Sequence, residues 1–229
     1  MTDERTRKGH IRVRRGNAAD AEIIREALIK AACDLFLEGG LNALTMRNVA
    51  ARAGVAAMTP YTYFTNKSEL LWHLKNEVLI EMLEHQKGSC LNAKTARQAL
   101  TSTTRAFISY CTDRPEKFQL LYIPQSLEGN ELLTFNKKSE QIEMMRDFQA
   151  QLTIAFAREI GGDEKRHSTA THYRHALAIG FLHLNFLQFG PGDEFKSQLE
   201  DLVSIMVEIV ELILLRQQLV EVKNMRFII

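Results

Sequence analysis

The segment from Thr45 to Val55 has the composition of two short helices joined by a tight turn. Ala50 is small enough to let the helices cross closely, Gly54 suits the turn, and Val55 can fill the shared core. The pattern therefore predicts a helix-turn-helix motif, whose chemistry is to place side chains against the bases and phosphates of DNA. An incidental corner between two helices also favours alanine and glycine, so the segment alone leaves both interpretations open.

Basic residues are concentrated at the N-terminal end of the chain. Residues 1–67 contain 11 Lys and Arg against 7 Asp and Glu, a net charge of +4, whereas the remainder contains 18 against 21, a net charge of −3. Six of the basic residues lie in the first 16: Arg5, Arg7, Lys8, Arg12, Arg14 and Arg15. This composition predicts a flexible arm over residues 1–19 that is attracted to a polyanion, with an ordinary solvated tail as the alternative.

A second group of residues follows the predicted turn and contains two tyrosines, a phenylalanine and a lysine at the start of a new helix. Together with the turn, it resembles the tetracycline-repressor (TetR) family of bacterial transcription regulators. Members typically carry Gly-Val at the turn, then Tyr-x-x-Phe and Lys-x-x-Leu. Three pairs in this chain fit without gaps: Gly54 with Val55, Tyr61 with Phe64, and Lys67 with Leu70. The resemblance covers roughly residues 20–75 and implies a three-helix DNA-binding domain.

The resemblance also implies which residues contact DNA. Phosphates would be held by Thr45, Tyr61 and Lys67, with Tyr63 as a further candidate. Base edges would be read by residues early in the third helix and by one arginine of the second, namely Ala57, Met58, Thr59, Thr62 and Arg47. Arg12, Arg14 and Arg15 would enter an adjacent minor groove. A half-buried core tyrosine at position 61 and a merely solvated lysine at position 67 are the alternatives.

Apolar residues recur three or four apart along most of the chain, and no stretch alternates as a strand does, so we expect an all-α fold. Glycines, prolines and capping residues place the helices at about 20–40, 45–54, 56–64, 67–86, 95–111, 115–126, 132–159, 170–189 and 194–217. Pro60 stands where relatives usually carry an aliphatic residue. A proline is tolerated only in the first helical turn, so it favours a third helix that starts late or tilts.

These elements suggest three parts: a basic flexible arm (1–19), a helix-turn-helix DNA-binding domain (20–75), and a larger helical domain (76–229). The resemblance implies that the larger domain binds a small molecule and forms a homodimer through its last two long helices. The last predicted helix is apolar around most of its circumference and must therefore be buried. We expect a dimer interface that includes Phe181, Leu184, Leu202, Met206, Ile209 and Ile213. Burial inside one chain is the alternative.

Apolar residues four apart on three predicted helices suggest a cavity in the larger domain. The pairs are Phe107 with Cys111, Phe118 with Tyr122, and Met144 with Phe148, and His175 is a polar group that could orient a ligand. Such stripes also occur in ordinary cores, so core packing is the alternative. The number of phenylalanines and methionines suits a hydrophobic effector, whose identity the sequence does not contain.

Several other classes of site lack their signatures. His167, His172 and His175 could share a metal, but no Cys, Asp or Glu completes a recognisable ligand spacing, so we expect no metal and no other cofactor. The chain has no Gly-rich phosphate loop, H-E-x-x-H or G-x-S-x-G, and we expect no enzymatic activity. Three scattered cysteines, no membrane-length apolar run and no apolar signal core at the N-terminus predict a cytoplasmic protein without a membrane partner.

The predicted function is a homodimeric repressor that binds a palindromic double-stranded DNA operator and is released by a small, hydrophobic effector. One alternative is a DNA-organising or activator protein of the same shape that responds to no effector. Another is a helical enzyme or lipophile carrier, which would show no sequence preference on DNA. Binding to a specific duplex and its response to a ligand would separate these alternatives.

Overall fold

A computed structural model of the chain describes residues 18–122, 139–188 and 193–225. The described residues form nine α-helices: α1 (Ala18–Ala43), α2 (Met46–Ala53), α3 (Pro60–Tyr63), α4 (Lys67–Ser89), α5 (Ala96–Asp113), α6 (Pro115–Tyr122), α7 (Glu140–Ile160), α8 (His167–Gln188) and α9 (Asp193–Met225). A short 3-10 helix, Glu164–Arg166, precedes α8, and the described ranges contain no β-strand. The predicted all-α fold is confirmed.

The described chain divides into two compact units, and the division falls inside α4. The first unit contains α1, α2, α3 and the start of α4 as far as Glu77. The second begins at Val78 and contains the rest of α4 and the helices from α5 to α9.

The ends of α2 are fixed by its flanking residues. Thr45 has extended backbone, and its Oγ1 accepts a hydrogen bond of 3.1 Å from the Asn48 backbone N–H. Gly54 ends the helix in the left-handed conformation, with φ of +70°, and its N–H points to the carbonyls of Ala50 and Ala51. Both capping residues therefore act as the sequence predicted.

The third helix is shorter than predicted. The expected start at residue 56 is wrong, because α3 begins at Pro60 and ends at Tyr63. Proline has no N–H to bond the carbonyl of residue 56, so a helix that began there would lack its first hydrogen bond. The chain instead forms a turn in which the Thr59 N–H bonds the Ala56 carbonyl at 2.9 Å. Pro60 takes the first helical position, where the missing donor costs nothing.

The predicted start of α7 at residue 132 is also wrong. Ser139 has extended backbone, and its hydroxyl accepts a hydrogen bond from the Ile142 N–H, so this helix begins at Glu140. Residues 132–138 of the predicted helix lie outside the described ranges. At the other end of α7, Gly161 takes the left-handed conformation that the predicted break requires.

Each unit has its own apolar core. In the first unit the fully buried side chains include Leu28, Ala32, Leu44, Val49, Phe64, Leu70 and Leu71. In the second unit a buried cluster joins α5, α7, α8 and α9: Leu100, Phe156, Ala157, Ala170, Val207, Val210 and Leu214. Burial of these side chains supplies most of the driving force that holds the helices in place.

Candidate functional site

The first candidate surface is formed by α2, the turn after it and α3, and most of its side chains are exposed. Met58 is 70% exposed and Tyr61 is 50% exposed. The predicted base-reading residues Arg47, Ala57 and Thr62 are also exposed, whereas Thr59 is half-buried. Ala57, Met58 and Thr59 lie in the turn and not in a helix, so only Thr62 belongs to the helix from which the prediction placed the base contacts.

Two arginines on α2 differ in what they contact. Arg52 donates two hydrogen bonds to the Glu38 carboxylate, at 2.8 and 2.6 Å. This contact lowers the pKa of Glu38 and raises the pKa of Arg52, so both groups stay charged. Arg47 forms no ion pair or side-chain hydrogen bond with the part of the chain that the structure describes. Its exposed guanidinium is therefore available for a guanine or a phosphate.

The predicted phosphate contacts lie around the same surface. Thr45 is exposed and already caps α2, and Tyr63 is half-buried. Lys67 is half-buried at the first position of α4, and its ammonium group donates a hydrogen bond of 2.9 Å to the Leu41 carbonyl. An ammonium group has three donors, so this bond anchors the side chain without using its whole capacity. Arg14 and Arg15 lie outside the described residues.

The surface is supported from behind by packing around Phe64, which ends α3. The Phe64 ring lies 5.5 Å from the His73 ring on α4, and the Arg25 guanidinium from α1 lies 6.0 Å from the same ring. Arg25 also contacts His73 Nδ1 at 2.8 Å. Contacts from α1 and α4 therefore fix the position of the short α3, which could not be stable on its own hydrogen bonds.

The second candidate site is a cavity of about 220 Å³ inside the second unit. Its walls come from the C-terminal part of α4 and from α5, α6, α7, α8 and α9. The apolar lining consists of Leu79, Met82, Phe107, Ile142, Met145, Ala178 and Met206. The polar lining consists of Gln86, Thr104, Tyr122, Arg146, Gln149, Arg174 and His175. Such a mixture of apolar walls and a few polar groups is typical of small-molecule sites.

Three of the predicted effector residues meet at this cavity. The Phe107 ring lies 5.1 Å from the His175 ring and 6.0 Å from the Tyr122 ring, and Tyr122 lies 5.5 Å from His175. Burial, with smaller effects of the charges on Arg174 and His172, lowers the pKa of His175 to about 4. The imidazole that faces the cavity is therefore neutral at pH 7.

The other four predicted effector residues do not line the cavity. Cys111 and Phe118 are fully buried, and Phe118 packs behind Tyr122 with the ring centres 5.3 Å apart. The α7 wall is formed by Ile142, Met145, Arg146 and Gln149, which share one helix face. Met144 and Phe148 lie on a neighbouring face, and Met144 is 44% exposed. The spacing of four was correct for a helix face, but it selected the wrong face.

A buried polar network beside the cavity was not predicted from the sequence. Arg174 Nη1 donates to Thr104 Oγ1 at 2.8 Å, and its Nη2 donates to Gln149 Oε1. Gln149 Nε2 in turn donates to Gln86 Oε1 at 2.5 Å. The four residues come from four helices and form no local motif. One signal was present, because Arg174 is a charged residue within a buried stripe of spacing four: Ala170, Arg174, Ala178 and Leu182.

The residues predicted for a dimer interface divide into two groups. Met206 is 1% exposed and lines the cavity, so it faces the interior of its own chain and not a partner. Leu184 is 57% exposed, and the half-buried residues are Phe181, Leu202, Ile209 and Ile213. Four further large apolar side chains on α8 and α9 are exposed: Tyr173, Leu177, Ile205 and Leu212.

Neither a membrane-spanning helix nor a metal site is found among the described residues. None of the described helices is long and apolar enough to span a membrane. Across residues 18–122, 139–188 and 193–225, no three His, Cys, Asp or Glu side chains come together as a metal site would require.

Comparison with known proteins adds to these observations. Residues 28–74 match the family profile described as bacterial regulatory proteins, tetR family. Over 109 residues, the chain is 26% identical to the HTH-type transcriptional activator FasR of Mycolicibacterium smegmatis. The matched region is 48% of this chain and 50% of FasR, so the match spans about half the length of that relative.

Solved structures of low sequence identity share the fold. The fatty acid degradation regulator FadR from Bacillus halodurans aligns with a TM-score of 0.61 and 15% identity, covering 88% of this chain and 97% of that chain. TetR from Acinetobacter baumannii AYE in complex with minocycline aligns with a TM-score of 0.57 and 20% identity, covering 82% of this chain and 96% of that chain. The shared architecture therefore extends over most of the described helices.

Proposed function

Because residues 28–74 match the profile of the tetR family of bacterial regulatory proteins, we propose that the chain is a transcription regulator of that kind, which binds DNA in a sequence-specific manner in the cytoplasm. The observation that carries this proposal is the exposed surface of α2, the following turn and α3, where the Arg47 guanidinium has no ion-pair partner among the described residues. The proposal contains no catalytic step. DNA is the partner that a capped helix-turn-helix with exposed side chains suits best.

We propose that contacts to DNA are divided between two groups of residues. Thr45, Tyr61, Tyr63 and Lys67 would hold phosphates, which position the protein on the duplex. Arg47, Ala57, Met58, Thr59 and Thr62 would face base edges in the major groove, and Arg14 and Arg15 would reach a minor groove. The short α3 supports this division. Residues of the preceding turn and of α3 then share one surface, which we call the reading surface and which comprises Arg47, Ala57, Met58, Thr59 and Thr62.

We propose further that the protein is a homodimer formed through α8 and α9. On α8, Tyr173, Leu177 and Leu184 are exposed at spacings of four and seven, and Ile205 and Leu212 repeat at seven on α9. A monomer gains nothing from exposing this many large apolar side chains on neighbouring helices. Ala176 and Gly180 are also exposed on α8, and small residues allow a partner helix to approach closely. Two-fold symmetry would match a palindromic operator.

In the proposed regulation, a small molecule binds in the cavity of the second unit and releases the dimer from its operator. An effector shifts such an equilibrium only by its preference for one of two states. A 100-fold loss of operator affinity needs about 2.7 kcal/mol of coupling, which lies within the usual range for allostery. The cavity supports this proposal by its position in the unit that does not contain the helix-turn-helix.

An effector-dependent activator is the second candidate, because the relative FasR is named a transcriptional activator. Repressor and activator use the same DNA-binding surface and differ in what occupancy of the operator does to transcription. A reporter fused to the regulated promoter separates them. Deletion of the gene raises expression for a repressor and lowers it for an activator.

The deciding experiment is fluorescence anisotropy of the purified protein on duplexes that tile the DNA upstream of its own gene. Excess nonspecific competitor and two salt concentrations are included. We expect competitor-resistant binding to one palindromic duplex, weakening steeply with salt because phosphate contacts release counterions. Equal, competitor-sensitive binding to every duplex would instead support a DNA-organising protein. Absence of binding at low salt would contradict the proposed function.

A further inference from the structure

Arg174 is a buried charge beside the cavity. Its side chain is 6% exposed, it lines the cavity, and burial lowers its pKa to about 10, so it remains a cation at pH 7. No aspartate or glutamate is among the residues that line the cavity in the described structure, and Arg174 forms no ion pair with a described carboxylate. Burying a charge without a counter-ion costs several kcal/mol. A protein that retains such a charge commonly uses it to bind something.

The guanidinium is held in place but is not saturated. Thr104 and Gln149 accept hydrogen bonds from its two terminal nitrogens, and Gln149 is itself held by Gln86. Arg174 Nε has no hydrogen-bond partner among the described residues although it is buried. A guanidinium has five N–H donors, and the edge that carries Nε–H has no acceptor on Nε among the described residues. That edge has the geometry that binds two oxygens of a carboxylate or phosphate.

The rest of the cavity also favours an anion with an apolar body. A second cation, Arg146, lines the cavity. Its side chain is 68% exposed, which places it at the rim, and it pairs with the Glu143 carboxylate at 3.0 Å. Apolar side chains such as Met82, Phe107 and Met206 form the other walls. A purely hydrophobic ligand would leave the Arg174 charge without a partner, and a cation would be repelled by it.

We propose that the cavity binds an amphipathic anion, whose carboxylate or phosphate pairs with Arg174 and whose apolar chain lies against the methionine, leucine and phenylalanine walls. The anion would be the effector of the proposed regulator, so this assignment rests on the proposed function for its biological meaning. Carboxylate and phosphate present the same pair of oxygens to a guanidinium, and the experiment below separates these two sources. Arg174 thereby changes the expected effector from a hydrophobic molecule to a hydrophobic acid.

The first test is thermal unfolding of the full chain with four eight-carbon probes: octanoate, octyl phosphate, 1-octanol and octylamine. A ligand that binds only the folded state raises the melting temperature, and the shift grows with the ratio of ligand concentration to Kd. We expect octanoate or octyl phosphate to raise it at concentrations where octanol and octylamine have no effect. The larger of the two anionic shifts identifies the headgroup. Equal shifts with octanol and with both anions, or a shift with octylamine alone, would overturn the proposal.

The second test replaces the charge with a side chain of similar length. In Arg174→Met we expect the dissociation constant for the preferred anion, measured by calorimetry, to weaken at least tenfold, while the unliganded protein melts no lower than wild type. Arg174→Lys keeps the charge but lacks the planar edge, so its dissociation constant should lie between those of wild type and Arg174→Met. This variant keeps the test valid if the methionine variant misfolds. Arg158→Met is the matched control, because Arg158 is exposed on α7, pairs with Glu164 and does not line the cavity.

Operator binding by the same preparations separates this proposal from the proposed function. Specific DNA binding without any anion-dependent shift would overturn the anionic ligand and leave the regulator intact. An anion-dependent shift that Arg174→Met removes, in a protein that ignores every duplex, would support the ligand site and contradict the regulator. If the anion also weakens operator binding in wild type but not in Arg174→Met, the ligand site and the regulatory function are both supported, and the anion is the effector.

Discussion

At the scale of single residues, similar side chains on one helix acquire different roles from their neighbours. Arg47 and Arg52 are both exposed on α2, but only Arg52 is engaged by a carboxylate. A guanidinium that already binds both oxygens of Glu38 has little left to offer to DNA, whereas the Arg47 group is unpaired within the described structure. Sequence alone cannot make this distinction, because Glu38 lies 14 residues away on another helix.

The two arginines therefore form a matched pair for testing the reading surface. We expect Arg47→Ala to weaken specific binding by about 1–3 kcal/mol, roughly 5- to 150-fold in Kd, and to relax preference at one base position. Arg52→Ala removes the same formal charge from the same helix and should change Kd by much less. Anisotropy on the operator and on single-base variants measures both. Equal losses in the two variants would mean that Arg47 acts through general charge alone.

His175 makes stability depend on pH. In the unfolded chain its pKa has the ordinary value of 6.5, and in the folded chain burial lowers it to about 4. Between these values the unfolded state binds a proton that the folded state does not, so stability rises with pH. The contribution of the neutral His175 imidazole to the free energy of unfolding is therefore complete above pH 6.5 and is lost as the pH falls towards 4. We expect the melting temperature to decline in this window.

Replacement of the imidazole by a neutral side chain isolates this contribution. His175→Gln should flatten the decline between about pH 6.5 and pH 4, because glutamine cannot take up the proton. His85→Gln, which changes a histidine of α4 that does not line the cavity, is the comparison variant, and the difference between the two slopes measures the contribution of His175. The charged groups that act on His175 are Arg174 and His172. If His175→Gln declines as steeply as wild type, another group causes the pH dependence.

At the scale of elements, local backbone chemistry decides where helices begin and end. We expect Gly54→Ala to destabilise the fold by about 1–2 kcal/mol, because an L side chain is strained at a φ of +70°. Nothing lies within 4 Å of the position a Cβ would take, so the cost comes from backbone conformation and not from a clash. Thermal unfolding measures it. Gly88→Ala is the control: this exposed glycine lies inside α4, also has open space, and should be neutral or stabilising.

The elements show which parts of this fold could be predicted from sequence. The ends of α2 were predictable because Thr45 and Gly54 act through hydrogen bonds and dihedral angles within a few residues. The late start of α3 was indicated by Pro60, although the helical pattern of residues 56–59 still placed the predicted first residue at 56. The face of α7 that lines the cavity could not be predicted, since the apolar Phe148 was expected to face it and the polar Gln149 lines it instead.

At the scale of the whole molecule, the candidate sites differ in how far they follow from sequence. The helix-turn-helix is contiguous, so its residues could be listed before the structure was known. The cavity combines six helices, and its polar network joins residues as far apart as Gln86 and Arg174. The apolar stripe of α9 predicted burial, which holds for Met206 beside the cavity but not for Leu212, which lies on an exposed face of the described chain.

The exposed face leads to a prediction about assembly. Leu212 is 56% exposed on α9, and we expect Leu212→Arg to place a charge in the proposed two-fold interface, where it meets its own copy. The variant should be monomeric by light scattering and should lose most of its operator affinity, because a monomer engages one half-site. Leu91→Arg is the control, since Leu91 is 81% exposed and lies outside α8 and α9. A wild-type monomer, or a Leu212→Arg dimer that binds the operator normally, would rule out this interface and require dimerisation through another surface.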